Sequence, residues 1–263
     1  MKVAAAQISC VVGDADANLA TVRDFCVRAK ASGAELIVFP EMVDTGYVMR
    51  AIREHASEWT ARFVPQLQRT ARELSLSLVC GVSEREGECI YNSQVVIDTK
   101  GEITGKYRKT HLFSPAPIEE DKCFAAGNCI STVSIGKIRA GLSICYDLRF
   151  PEVYRRLAIE GNAHAFLISS AWPFPRVEHL RVLAAARAIE NQSYVVLANR
   201  AGTDDGVTFC GSSAIIDPYG VVIASASADR EELVEADISE PLIQSVRDRM
   251  PVFQNRRPDV YAR

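Results

Sequence analysis

Three residues of this chain have types and settings that together suit attack on a carbonyl carbon: Cys145, Lys109 and Glu41. A thiol needs a base to take its proton, and the oxygen charge that develops as it attacks needs a cation or N–H groups to hold it. Cys145 ends the apolar run GLSIC and precedes a helix beginning near Phe150-Pro151, a strand-to-helix turn of the kind that exposes a nucleophile. The nearby helix N-terminus is expected to lower the thiol pKa and to offer peptide N–H groups to an oxyanion. Glu41 follows the apolar segment ELIVFP, and Lys109 stands at the end of a strand in GKYRKTHLF. Each has an ordinary alternative: a cysteine packed as a small apolar residue, and two charges solvated at loop mouths. The combination favours chemistry, because Glu and Lys supply what the thiol lacks.

These positions need strands and helices to hold them. KVAAAQI (2–8) reads as a strand, followed by a helix capped by Asn18 or Asp16, with Leu19, Val22, Cys26 and Ala29 on one face and Gly33 ending it. AELIVFPE is the next strand, so the opening favours a parallel pair. A helix over about 60–75 follows, with Phe63, Leu67, Ala71 and Leu74 at helical spacing. Residues 77–107 read as an antiparallel meander, and 129–145 as a hairpin leading to Cys145. Helix 152–160, strand AFLISS, helix 177–190 and strand YVVLAN alternate next, before hairpins over 210–236 with a turn at Asp217-Pro218-Tyr219-Gly220. Wholly apolar and alternating strands both occur. Two mixed sheets packed face to face under outer helices, in one α/β domain over 1–263, satisfy the pattern.

Composition narrows the partners. Lys and Arg number 30 against 33 Asp and Glu, a net charge of −3 without long single-sign blocks, so neither a nucleic acid nor an anionic membrane is expected. No stretch reaches the ~18 unbroken apolar residues of a membrane span, and the N-terminus lacks a signal-peptide core. The eight cysteines are scattered without an export signal, which favours reduced thiols and the cytoplasm. Cys-x-x-Cys and His-x-x-x-His pairs are absent, so no metal is expected.

FPEMVDTGY, YRKTHLF and GLSICYDLRFPE, in that order, resemble the three catalytic motifs of the nitrilase superfamily, the carbon–nitrogen hydrolases. The resemblance continues through SAWPFPRVEHLRVLAAARAIENQSYVVLANRAG, FCGSSAIIDPYG and MPVFQNRRPDVY and covers essentially the whole chain. It implies a four-layer αββα sandwich, a Glu-Lys-Cys triad and no cofactor. By position, Glu41 is then the general base, Lys109 the oxyanion stabiliser, Cys145 the nucleophile and the Tyr146 N–H a second oxyanion donor. Many members use a further Glu upstream of a Gly. Here the position seven before Gly127 is Glu120, with Glu119 its competitor.

The resemblance also places Tyr47, Trp172 and Phe174 where relatives line the substrate pocket, although bare aromatics are more often core than ligand wall. Arg176, in the same loop, suits a substrate carboxylate or an ion pair with Glu178. His179 reads as a packed, hydrogen-bonded residue of the following helix. Cys-Tyr-Asp, where nitrilases proper usually show Cys-Trp-Glu, implies an amidase. YRKTHLF and CYDLRFPE resemble the branch acting on deaminated glutathione, and SAWPFPR and ARAIENQ resemble bacterial ω-amidases. The expectation is a hydrolase of small linear amides, ω-amidase-like in kind, with an N-carbamoyl amidohydrolase or a nitrilase on the same triad as alternatives and an inactive scaffold disfavoured by the intact triad. Relatives pair through helices and C-terminal segments, which implies a homodimer or larger homo-oligomer.

Overall fold

The computed structural model describes residues 1–261, so the domain expected over 1–263 extends two residues beyond them. β1 (Lys2–Gln7), α1 (Ala15–Ala31) and β2 (Leu36–Val38) form the opening unit, with β1 and β2 parallel. After α2 (Met49–His55) and α3 (Phe63–Leu74), the strands β3 (Ser77–Glu86), β4 (Cys89–Ile97) and β5 (Ile103–Arg108) make an antiparallel meander. β6 (Thr132–Ile135) and β7 (Ile138–Ile144) form the hairpin before a 3-10 turn at Cys145–Arg149. α4 (Pro151–Ile159), β8 (Ala165–Ser170), α5 (Val177–Asn191) and β9 (Tyr194–Asn199) alternate after it. A short hairpin, β10 (Thr203–Asp204) and β11 (Val207–Thr208), leads to β12 (Ala214–Ile216), β13 (Val222–Ser225), β14 (Glu232–Asp237), α6 (Glu240–Arg249) and α7 (Pro258–Tyr261).

The strands build two six-stranded mixed sheets, ordered β14-β1-β2-β3-β4-β5 and β13-β12-β9-β8-β7-β6. Val3, Ala5, Val38 and Val79 of the first sheet share an apolar core with Ala140, Leu142 and Leu167 of the second. On the outer face of the first sheet, Phe25, Cys26, Leu67 and Ala71 of α1 and α3 pack with Ala4, Ile37 and Leu78. α4 and α5 cover the second sheet through Tyr154, Leu157, Ala184 and Ala188. The result is the expected αββα sandwich, because each helix has one apolar stripe to bury and each sheet has two faces to cover.

Several local expectations shift. Asp14, not Asn18 or Asp16, caps α1: its carboxylate accepts the Ala17 N–H at 3.0 Å. Asn18 lies within the helix, where its amide bonds the N–H and C=O of Val11 at 2.8 and 2.9 Å and reaches Asp44 O at 3.3 Å, tying this loop to the one after Glu41. β2 stops at Val38, short of the expected residue 41, since Pro40 has no N–H to donate and Met42 turns to φ +53°. The hairpin expected over 210–236 holds only for β12 and β13. β14 leaves it to pair with β1 in the other sheet and so joins the two layers. In the tail, Phe253 packs on its own subunit beneath the Arg155 and Arg247 guanidiniums, 5.5 and 5.2 Å from its ring centroid.

Candidate active site

The C-terminal ends of β2, β5, β7 and β8 converge at one edge of the sandwich, where ligands of α/β folds bind. Glu41 lies three residues beyond β2. Its backbone presses on β3 at Gly81, where a Cβ would stand 2.5 Å from Pro40 O and 2.6 Å from Glu41 Cα, so no larger residue fits. Lys109 immediately follows β5 and donates its N–H to Asn92 O of β4 at 2.8 Å. Gly127 donates to Lys109 O at 2.8 Å and passes so near that a Cβ there would lie 2.1 Å from Arg108 O. The two glycines therefore fix both charged residues by close backbone approach.

Lys109 Nζ donates to Oε1 of Glu41 and to Oε1 of Glu120, each at 2.8 Å, and all three side chains have 0% exposure. Asn92 Nδ2 donates to the same two oxygens, at 2.6 Å to Glu41 and 3.1 Å to Glu120. Glu41 Oε2 accepts the Ala171 N–H at 2.8 Å, which joins it to the second sheet. Glu120 also accepts the Tyr47 hydroxyl at 2.8 Å and the Phe113 N–H at 2.6 Å. The neighbouring Glu119 instead pairs with Lys122 at 2.7 Å on the surface, so Glu120 is the glutamate brought to the lysine.

Two carboxylates share one cation in a dry site. Burial raises the Glu41 pKa, opposed by Lys109 and reinforced by the Glu120 charge. Burial works against the Lys109 ammonium, but Glu120 and Glu41 outweigh it and hold its pKa above the ordinary lysine value. Lys109 is thus a fixed positive charge and Glu41 a base with raised proton affinity.

Cys145 opens the 3-10 turn at φ +43°, a left-handed conformation costing about 1–2 kcal/mol for a non-glycine residue. The buried carboxylate of Asp147 holds that turn. It accepts the Ile144 N–H at 3.0 Å and the Tyr107 hydroxyl at 2.8 Å through Oδ2, and the Thr110 hydroxyl and His111 N–H, each at 3.1 Å, through Oδ1. One residue thereby connects the backbone before Cys145 to the residues on both sides of Lys109. The expected lowering of the thiol pKa by a helix N-terminus does not hold. α4 begins six residues later at Pro151, and burial followed by the Glu41 charge pushes the thiol pKa up despite Lys109.

A narrow cleft, with about 20 Å³ of free volume, opens over Cys145. Tyr47, Phe113, Ile118 and Tyr146 line one part, and Trp172 and Pro173 another. Trp172 is buried, and its indole N–H donates to Arg176 O at 2.9 Å. Phe174 is not brought to the cleft. It is 59% exposed, because Pro173 bridges Phe209 in extended backbone and the next side chain points the other way.

Two guanidiniums complete the lining, those of Arg149 and Arg176. Arg149 lies 4.7 Å over the Trp172 ring and contacts His179 Nδ1 at 3.2 Å. Arg176 lies 5.5 Å over the Phe113 ring. Glu178 pairs with Arg181 at 3.0 Å, so the alternative Arg176–Glu178 pair does not form. Among the described residues, neither cleft arginine has a carboxylate partner within salt-bridge distance. Burial and the nearby Arg176 charge lower the Arg149 pKa.

Asn92, Arg149 and Asp147 went unnamed as site residues in the sequence reading. Asn92 carried a signal: Asn92-Ser93-Gln94 is a polar run inside the otherwise apolar strand CIYNSQVVI, and buried amides require partners. Among the described residues, no cluster of three or more His, Cys, Asp or Glu is arranged to hold a metal ion.

The carbon–nitrogen hydrolase family model matches residues 2–248. A 2-oxoglutaramate amidase of Bacillus subtilis is 35% identical over 239 residues, covering 90% of this chain and 91% of its own length. A nitrilase of Pyrococcus abyssi is 34% identical over 274 residues, covering both chains completely. Among solved structures, a variant of the amidase from Nesterenkonia sp. AN1 has a TM-score of 0.89 at 27% identity, over 100% of this chain and 95% of that one. That structure carries the acetamide moiety of fluoroacetamide covalently added at its active-site cysteine.

Proposed function

The chain belongs to the carbon–nitrogen hydrolase family and cleaves amide C–N bonds, and from that premise we propose that Cys145, Glu41, Lys109 and Glu120 hydrolyse a small linear amide bearing a carboxylate. Glu41 takes the Cys145 proton as Sγ bonds to the amide carbon. The carbonyl electron pair moves to oxygen, where the Lys109 ammonium and the Tyr146 N–H hold it. Glu41 delivers the proton to nitrogen, the C–N bond breaks and ammonia leaves a thioester. Water then enters, Glu41 takes its proton, the C–S bond breaks, and the proton returns to sulfur as the acid departs. Glu120 keeps Lys109 charged and aimed while Tyr47 and Phe113 hold Glu120.

The substrate class rests on one observation: Arg149 and Arg176 line an otherwise apolar cleft over Cys145 with no carboxylate among the described residues to pair with. A guanidinium matches a carboxylate bidentately, so an acyl chain with a terminal carboxylate satisfies both ends of the cleft. 2-Oxoglutaramate, the substrate in the name of the Bacillus relative, has that form. The test is ammonia release from ω-amides of 2-oxo acids, neutral amides of equal length, the matching nitriles and N-carbamoyl compounds. The carboxylated amides should lead by about tenfold or more in kcat/KM. Equal rates on neutral amides, or activity on nitriles alone, would contradict this reading.

The same reading extends to assembly and compartment. Val182 and Ile189, two turns apart on α5, are exposed, and Gly220, just before β13, abuts the Ile189 side chain, which leaves an apolar face open along α5. A second copy of the chain covers that face, giving a homodimer that light scattering should detect. No helix of the described residues is long and apolar enough to cross a membrane. The eight cysteines are free thiols, in keeping with a reducing cytoplasm.

A further inference from the structure

Arg200 and Asp204 form an ion pair outside the catalytic cluster. Arg200 has 0% exposure, and its Nη1 and Nη2 donate to the two Asp204 carboxylate oxygens at 2.6 and 3.0 Å. Asp204 Oδ2 also accepts the backbone N–H of Tyr47 at 2.8 Å. The Arg200 guanidinium lies 4.8 Å over the Phe209 ring, and that ring meets Tyr47 edge-on at 6.1 Å. Tyr47 is thus gripped at its backbone and at its ring by one cluster.

The Trp172–Pro173 part of the cleft lining hangs on the same segment. The Cys210 N–H donates to Trp172 O at 3.0 Å, the Phe174 N–H donates to Thr208 O at 2.9 Å, and Pro173 bridges Phe209. The β10–β11 hairpin closes through Asp205 and Gly206, both at positive φ, in a turn that fixes its register. Tyr47 and Trp172 come from distant parts of the chain, yet both are hydrogen-bonded to residues 204–210.

We propose that the Arg200–Asp204 pair is a positioning clamp that sets the spacing between the Tyr47 and Trp172 walls, and thereby the size of acyl group that reaches Cys145. An ion pair held bidentately suits this task because its geometry is directional where apolar packing would tolerate sliding. Neither residue lines the cleft, so the clamp acts through Tyr47. This inference rests on Cys145 being the reactive group of an amide hydrolase.

Two double variants separate the clamp from mere stability. Arg200→Met with Asp204→Asn removes both charges but keeps a side-chain oxygen for the Tyr47 N–H. Arg200→Met with Asp204→Leu removes that acceptor too. Replacing both members of a buried pair avoids stranding one charge, so both variants should fold, which melting curves check. The readout is the ratio of kcat/KM for a short and a long amide. In parallel, the ratio of Cys145 alkylation rates by a short and a long haloamide needs no turnover. Both variants lose the ion pair and should shift both ratios toward the longer group, the Asn variant by about threefold and the Leu variant, which also frees the Tyr47 N–H, by about tenfold or more. Phe209→Leu, which leaves the ion pair intact, should shift them in the same direction by less. Unchanged ratios in the folded Leu variant, or in the Asn variant if the Leu variant does not fold, would overturn the clamp. Failure of the parent to release ammonia from any amide would strike instead at the hydrolase reading, with the alkylation ratios still judging the clamp.

Discussion

The carboxylate of Asp147 accepts the backbone N–H of Ile144 at 3.0 Å, one residue before the left-handed Cys145. Through its other oxygen it holds the Thr110 hydroxyl and the His111 N–H, just past Lys109. Asp147→Asn keeps the size of the side chain but cannot accept at all these donors. It should lower kcat by about 10²-fold, the scale of a misplaced reacting group, with KM little changed. The alkylation rate of Cys145 by iodoacetamide should fall with it. Normal kcat in this variant would show that the turn holds without Asp147.

The pH dependence follows from Glu41. Burial raises its pKa, the Glu120 charge raises it further, and Lys109 and the Asn92 hydrogen bond lower it. The base must be ionised to accept the thiol proton, so kcat/KM should fall as pH drops through a pKa above the ordinary glutamate value of 4.5. Asn92→Leu should move this acid limb to higher pH, and Glu120→Gln should move it lower in whatever activity remains. Shifts of the opposite sign, read from pH–rate profiles, would remove Glu41 from the role of base.

The cleft arginines should separate binding from chemistry. Arg149→Met and Arg176→Met should each raise KM for carboxylated amides by about tenfold or more while sparing neutral amides, since each removes a partner of the carboxylate and touches no reacting atom. Steady-state kinetics on matched charged and neutral substrates tests this. Equal losses on both would place the arginines in structure alone.

Stability should carry the mark of Asp44. Burial pushes its carboxyl up to about 6 from an ordinary 3.8, against hydrogen bonds from the Ser83 hydroxyl and N–H. A carboxyl raised on folding stabilises the fold below its unfolded pKa, and that contribution is lost as pH rises through the folded pKa. The difference corresponds to about 3 kcal/mol lost between roughly pH 3 and pH 7. Urea unfolding at both pH values should show this loss in the parent and not in Asp44→Asn.

Much of this architecture is legible in the chain because local patterns and packing agree. The apolar runs leading to Glu41, Lys109 and Cys145 mark the positions of all three, while the spacing to Gly127 leaves Glu120 and Glu119 in competition until the fold pairs Glu120 with Lys109 and Glu119 with Lys122. What escapes is long-range. The Asp14 cap displaces Asn18 because Asn18 has partners at Val11 and Asp44, which only the folded loops supply. β14 crosses to the other sheet because its partner is β1, more than 220 residues earlier. The lowered thiol pKa expected from a helix N-terminus fails because the intervening turn sets that terminus back and burial governs Cys145. Phe174 misleads because one step of extended backbone reverses the direction of a side chain.

The central claim is a covalent acyl group on Cys145. Acid-quenching the enzyme during turnover of 2-oxoglutaramate and weighing the intact protein should reveal a mass gain equal to the acyl group less one hydrogen. Peptide mapping should place it on Cys145, and hydroxylamine should remove it. Cys145→Ala should show neither adduct nor ammonia while keeping its fold. Ammonia release that persists in Cys145→Ala, with no adduct in the parent, would contradict the account.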